Sequence, residues 1–215
     1  MTAPAMQVLA GISVPSTPLI DKAIDYAREC SEPYMFNHVV RSWLFAVRIG
    51  EMEGIEYDGE VVAIGTLLHD ITLTKDFKGP RRFEVEGADI AREFVREAGF
   101  DDRRAQLIWD SVALNSTPSI GLYKEAEVAL CTAGIGLDFA GRLYNKIPSD
   151  EMRAIVGAYP RLGMKKQIAE CVCCIVANAP QTTYGTFASD FGARFVAAYQ
   201  PISLVDLLMD TPFES

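Results

Sequence analysis

The chain has 215 residues, of which 49% are hydrophobic and 23% are charged, and its formal net charge is −9. This length and composition predict a single globular domain over residues 1–215, with a core from about residue 20 to residue 199. A negative surface repels phosphate backbones, so no nucleic-acid partner is expected. Because no apolar run is long enough to span a membrane and the N-terminus lacks a secretory pattern, we expect a cytoplasmic protein with no membrane partner.

Helical hydrophobic spacing recurs along nearly the whole chain, whereas strand patterns are almost absent. In chain order, the predicted helices are 19–30, 32–53, 59–70, 84–98, 101–115, 123–144, 149–159, 165–178, 185–199 and 202–209. Ser31 is expected to cap the second helix, Gly54 to end it and Asp58 to cap the third. Residues 71–82 are rich in Pro, Gly and charge, which is typical of a loop. The sequence therefore predicts an all-α fold.

The five cysteines do not indicate a disulfide framework, because their number is odd and no secretory signal is present. Three of them lie in the apolar segment IAECVCCIVANA (168–179). Neither a second Cys pair nor a His pair lies nearby to complete a four-ligand metal site. We interpret this segment as a buried helix.

The chain has only two histidines, His38 and His69, and both lie on helices predicted to be largely buried. Asp70 follows His69 at the end of an apolar run, and Asp138 lies in the apolar segment CTAGIGLDFAGRL. A carboxylate buried in such surroundings requires a cation or a metal ion as its partner. The alternatives are a packing role for each histidine and a salt bridge between Asp138 and Arg142, four residues further on.

If the third helix ends or distorts at the His-Asp doublet, both side chains can reach one ion. His38, His69, Asp70 and Asp138 are then predicted to hold one divalent metal ion. Zn²⁺ is the first choice, and Fe²⁺ or Mn²⁺ also suit such ligands. A metal ion in this setting lowers the pKa of bound water and polarises an electrophile, and Asp70 is the predicted catalytic residue for handling protons.

The order His38, His69-Asp70, Asp138, with each residue on a predicted helix, resembles the HD-domain superfamily. Similarity to the narrower cyanamide hydratase-like branch lies in FNHVVRSWLFA, LLHDI, RFEVEGADIAREFV, IWDSVALNST, GIGLDFAG and TTYGTFASDFGARF. The resemblance implies an all-α HD-domain helical bundle that forms a homo-oligomer. It also implies a metal-dependent hydratase or hydrolase that adds water to a small C≡N-type molecule, cyanamide-like or nitrile-like.

Asn115 departs from that branch, which commonly has a histidine at this position. Asn115 is interpreted either as a hydrogen-bond donor to a substrate nitrogen or as a cap at the end of a helix. The absence of further histidines disfavours a second metal ion, which weakens one alternative function, an HD-type phosphohydrolase of a nucleotide or phosphate ester. The second alternative is an HD module that binds a small molecule without catalysis.

Other side chains are weaker candidates for the site. Glu84, at the start of the fourth helix, and Lys78, in the loop after the doublet, are predicted to bind substrate. The alternatives are a helix-stabilising acid in the first turn and a solvated loop charge. Asn37 is predicted to orient His38 through a hydrogen bond. An aromatic face on one late helix is predicted to pack in the core or close a small cavity, and its members are Tyr184, Phe187, Phe191 and Phe195.

Overall fold

The structure is a computed structural model, and it describes residues 5–213. Its two strands are β1 (Ala5–Leu9) and β2 (Ile12–Ser16). Its α-helices are α1 (Pro18–Cys30), α2 (Pro33–Glu53), α3 (Gly59–Leu67), α4 (Phe83–Glu97), α5 (Asp102–Ala113), α6 (Pro118–Gly121), α7 (Ala126–Ala140), α8 (Ser149–Ala158), α9 (Met164–Asn178), α10 (Phe187–Phe195) and α11 (Leu204–Met209). The predicted all-α fold class is confirmed, with one small hairpin added. None of the helices in residues 5–213 has the length and apolar character needed to cross a membrane.

The N-terminal hairpin was not predicted from the sequence. Strands β1 and β2 pair antiparallel, with Leu9 opposite Ile12. The two residues between them, Ala10 and Gly11, have φ angles of 50° and 86°. Positive φ at both central positions matches the twist of a tight hairpin. The hairpin packs its inner face, including Val14, against the helical core.

Capping residues explain several helix ends. The Asp58 side chain accepts hydrogen bonds from the backbone N–H groups of Glu60 and Val61, as predicted for the start of α3. Gly54 ends α2 in the left-handed conformation, with φ 63°, also as predicted. The prediction for Ser31 is wrong, because Ser31 follows the end of α1 and Glu32 occupies the N-cap position of α2.

Several predicted helices are shorter in the structure. Helix α7 begins only at Ala126, after the separate short helix α6, and it ends at Ala140 because Gly141 adopts φ 72°. Helix α10 begins after Thr186, whose side chain accepts a hydrogen bond from the N–H of Ala188. The cysteine-rich segment forms helix α9 as predicted, with Cys171 buried.

Helices α2 and α7 are in close contact at the centre of the fold, and a glycine makes that contact possible. A Cβ at Gly134 would overlap the carbonyl oxygen of Ser42 and lie 2.7 Å from the backbone nitrogen of Ala46. One helical turn from this contact, toward the N-terminus of α2 and the C-terminus of α7, His38 faces Asp138. The close packing of the two backbones therefore brings a histidine and an aspartate together in the core.

Helix α3 ends at Leu67, three residues before the end that was predicted. His69 and Asp70 consequently lie in the turn that follows, where successive side chains are free of the 100° helical divergence. This is the break in the helix that a shared ion was predicted to need.

Candidate metal centre

Three side chains converge where the end of α3 meets α2. The Nε2 atom of His38 lies 3.2 Å from Nε2 of His69. The Oδ2 atom of Asp70 lies 3.1 Å from Nε2 of His69 and 3.6 Å from Nε2 of His38. All three residues are buried. We call them the His–His–Asp cluster, and three of the four predicted ligands are thus brought together.

The other ring nitrogen of each histidine is already bound to an acceptor. Nδ1 of His38 lies 2.6 Å from the carboxylate of Asp138, and Nδ1 of His69 lies 2.7 Å from the backbone carbonyl of Thr66. An acceptor at Nδ1 places the proton of a neutral imidazole on that nitrogen. When both rings are neutral, as metal-bound imidazoles are, both Nε2 atoms present lone pairs to each other and to Asp70. A single proton can link only two of these three atoms, whereas a metal ion can bind all three.

The separations of the three atoms fit a tetrahedral ion. Ligand atoms about 2.0–2.1 Å from a tetrahedral centre are roughly 3.3–3.4 Å apart. The observed separations of 3.1, 3.2 and 3.6 Å lie around that value. Two histidines and one carboxylate would leave the fourth position open, which is the arrangement of catalytic rather than structural zinc sites. Fe²⁺ also suits two histidines and one carboxylate.

The pKa values of His69 and Asp70 are shifted in opposite directions, toward an ion pair in which a proton on His69 stands beside the Asp70 carboxylate. Burial alone would lower the pKa of His69, but the adjacent Asp70 carboxylate outweighs burial and the pKa is raised. Burial alone would raise the pKa of Asp70, but His69 and then His38 lower it. Asp70 is therefore held as an anion in a buried place, which is the state a metal ligand needs.

Asp138 was predicted to be the fourth ligand, and the structure corrects this assignment. Its carboxylate lies on the Nδ1 side of the His38 ring, away from the converging Nε2 atoms. Both of its oxygens accept hydrogen bonds from Arg41, and Arg161 also donates to Oδ1. Burial would raise the pKa of Asp138, but His38 and Arg41 hold it far below its ordinary value. Asp138 therefore fixes the ring orientation of His38 rather than joining the cluster.

Two arginines that hold Asp138 were missed in the sequence. Arg41 is fully buried in α2, three residues after His38, and Arg161 follows α8. Arg41 lies in the apolar run HVVRSWLF, and a buried arginine requires a carboxylate partner. This context could have predicted that Arg41 forms a buried ion pair. Arg161 carried no such signal. Arg142, the partner considered for Asp138, forms no ion pair with it.

A cavity of about 220 Å³ opens beside the cluster and is lined by His38, His69 and Asp70. This is smaller than the roughly 300–1,000 Å³ of pockets for drug-sized ligands, so it suits a small molecule. Most of its wall is apolar, from Leu73, Ile135, Phe139, Ile168 and Phe187. Phe187 is thus the member of the predicted aromatic face that lines the cavity.

Asn115 also lines the cavity, and its side chain is fixed by the backbone. Its amide nitrogen donates to the carbonyls of His69, at 3.2 Å, and Val112, at 2.9 Å. The bond to Val112 closes the end of α5, so the capping interpretation fits the structure. Because the two carbonyls need the NH₂ group, the amide oxygen is left as an acceptor. This corrects the predicted donor role of Asn115 toward a substrate.

Three weaker predictions do not match the geometry. Glu84 is buried in the first turn of α4 and binds Arg82 and Ser116, and it does not line the cavity. Lys78 is exposed on the loop and is not part of the cavity wall. Asn37 donates to the carbonyl of Pro160 at 2.8 Å, so the hydrogen bond that orients His38 comes from Asp138 instead.

Comparison with known proteins identifies the family of this chain. No curated protein matches the chain. A family model of the HD domain matches residues 35–158. That match covers more than half of the chain and includes the His–His–Asp cluster and Asp138. This protein therefore belongs to the HD-domain family.

Proposed function

We propose that this protein is a metal-dependent enzyme that adds water to a small molecule held in the cavity beside the His–His–Asp cluster. HD domains are commonly metal-dependent hydrolases. The observation that carries the proposal is the convergence of three buried ligand atoms, two imidazole nitrogens and one carboxylate oxygen, within 3.6 Å of one another. His38, His69 and Asp70 would hold one divalent ion, for which Zn²⁺ is our first choice.

The residues around the cluster have separate tasks in this proposal. A bound divalent ion supplies Lewis acidity and a lowered pKa for water. The Oδ2 atom of Asp70 lies next to the two histidines, and no residue in 5–213 donates a hydrogen bond to its Oδ1. We expect Oδ1 to orient the attacking water and accept its proton. The apolar wall excludes bulk water, and the Asn115 oxygen accepts a hydrogen bond from a substrate N–H.

For the substrate we propose a small C≡N-type compound, cyanamide-like or nitrile-like. The small cavity and its apolar wall support this, together with the resemblance to the cyanamide hydratase-like branch. Addition of water places oxygen on the carbon and protons on the nitrogen. The acceptor oxygen of Asn115 suits the N–H groups that such a substrate gains during the reaction.

A phosphohydrolase is the second candidate, and one observation favours it. Arg142 lines the same cavity and could bind a phosphate oxygen. The single cluster of three ligands among residues 5–213 offers no second ion of the kind that many phosphoesterases use.

An activity screen separates these candidates. Protein loaded with Zn²⁺, Fe²⁺ or Mn²⁺ would be assayed for hydration of cyanamide and small nitriles by NMR, and for phosphate release from monoesters and nucleotides. We expect hydration without phosphate release, and no activity from a His69→Ala control. Phosphate release without hydration would establish the second candidate instead. No turnover of either class with bound metal would indicate a non-catalytic binding module.

A further inference from the structure

Arg142 is the one lysine or arginine among residues 5–213 that lines the metal-site cavity. The cavity is otherwise built from the cluster, an apolar wall and a few neutral polar groups. Arg142 is exposed, so its charge is solvated at the edge of this cavity and is available to a ligand that enters it.

Arg142 has no ion-pair partner in the part of the chain that the structure describes. Asp138, four residues earlier in the chain, is bound to Arg41 and Arg161 instead. Most other arginines are paired as well, namely Arg28, Arg48, Arg81, Arg82, Arg92, Arg96 and Arg104. Among the described residues Arg103, Arg153 and Arg194 also lack an ion pair, so Arg142 is distinguished from them by its place at the cavity.

The end of α7 places the stem of Arg142 beside Gly136, and both residues line the cavity. After Gly141 turns the backbone, the N–H of Arg142 donates to the carbonyl of Gly136 at 3.3 Å. The Cδ atom of Arg142 lies 3.2 Å from the place where a Cβ of residue 136 would be. The missing side chain at Gly136 therefore leaves room for the arginine stem. An arginine after a helix also interacts favourably with the helix dipole, and that role would need no ligand.

We propose that the substrate of this enzyme carries an anionic group, a carboxylate or a phosphate, which Arg142 binds while the reacting atom lies at the His–His–Asp cluster. The inference rests on the proposed function and adds a specificity-determining residue to it. A guanidinium presents a planar fork of donors that matches an oxyanion. The volume of the cavity limits the substrate to a small organic anion.

Binding of two-headed anions tests the proposal without a known substrate. The probes are malonate, succinate and glutarate, each compared with its half-amide, and phosphonoacetate. The three chain lengths sample different separations between one carboxylate at the metal position and a second one at Arg142. Affinities would be measured by calorimetry on Zn²⁺-loaded wild type and Arg142→Gln. Arg142 is exposed, so the substitution should not disturb folding.

We expect Arg142→Gln to weaken the best diacid by about tenfold and its half-amide much less, because only the second carboxylate loses a charge-assisted hydrogen bond. Arg103→Gln removes an exposed charge away from the cavity and should change neither affinity. If Arg142→Gln weakens phosphonoacetate more than the best diacid, the anionic group at Arg142 is a phosphate, and the reverse order identifies a carboxylate.

Equal affinity losses for the diacid and its half-amide would overturn the role of Arg142 while leaving the metal site intact. A helix-dipole role alone predicts this outcome, together with a lower melting temperature for Arg142→Gln. Elemental analysis of the same samples separates the two proposals. Absence of metal from the wild type after loading would refute the proposed function, and the inference with it.

Discussion

Replacing Asp70 with Asn is expected to reduce turnover by at least about a hundredfold at saturating metal, because general acid–base catalysis contributes roughly 10²–10⁴-fold. The amide keeps the shape of the carboxylate but can neither carry the negative charge nor accept a proton at neutral pH. The kcat on the best substrate from the hydration screen measures the effect. At saturating metal, weaker binding of the ion by the variant does not contribute to the change in kcat.

Asp76→Asn is the matched control for this variant. Asp76 is exposed on the loop after the doublet and does not line the cavity, so its loss should leave kcat unchanged. Full activity of Asp70→Asn with bound metal would show that Asp70 does not handle the proton. Loss of activity in both variants would point to a disturbed loop instead.

Replacing Asp138 with Ala is expected to destabilise the fold by about 3–5 kcal/mol, the cost of removing one partner from a buried ion pair. The side chain of Asp138 is 1% exposed, and the fully buried Arg41 would lose its carboxylate. Urea unfolding of the metal-free protein measures the change in the free energy of unfolding. Asp25→Ala is the control, because the Asp25–Arg28 pair is exposed and should contribute less than about 1 kcal/mol.

A milder change at the same position tests the link to the metal centre. Asp138→Asn keeps an acceptor for Nδ1 of His38 but loses the charge that fixes the ring. Loss of such an orienting partner typically lowers metal affinity by about 10–100-fold. A competition titration with a chelating dye measures this affinity. Affinity equal to that of the wild type would mean that His38 does not depend on Asp138 for its orientation.

The helical fold was largely predictable because its signals are local. Asp58 and Gly54 define helix ends by their own hydrogen bonding and φ, and hydrophobic spacing identifies the helices between them. The hairpin was missed for a local reason as well. Ala-Gly is a weaker turn signal than Asn-Gly, and Pro15 within β2 is unusual for a strand.

The site was only partly predictable because its geometry depends on contacts distant in sequence. Polar residues in apolar segments were enough to predict that His38, His69 and Asp70 lie together. The side of His38 on which Asp138 lies is decided by Arg41 and Arg161. The donor direction of the Asn115 amide is decided by the carbonyls of His69 and Val112. Periodicity in a single sequence carries none of this information.

Metal content, measured by elemental mass spectrometry, is the most direct test of the central claim. Wild type and His69→Ala would be purified without added metal and then reconstituted, with circular dichroism confirming that both are folded. We expect about one Zn, Fe or Mn per wild-type chain and a large loss in the variant. No bound metal in the wild type, even after reconstitution, would contradict it and make the cluster a structural feature of the core.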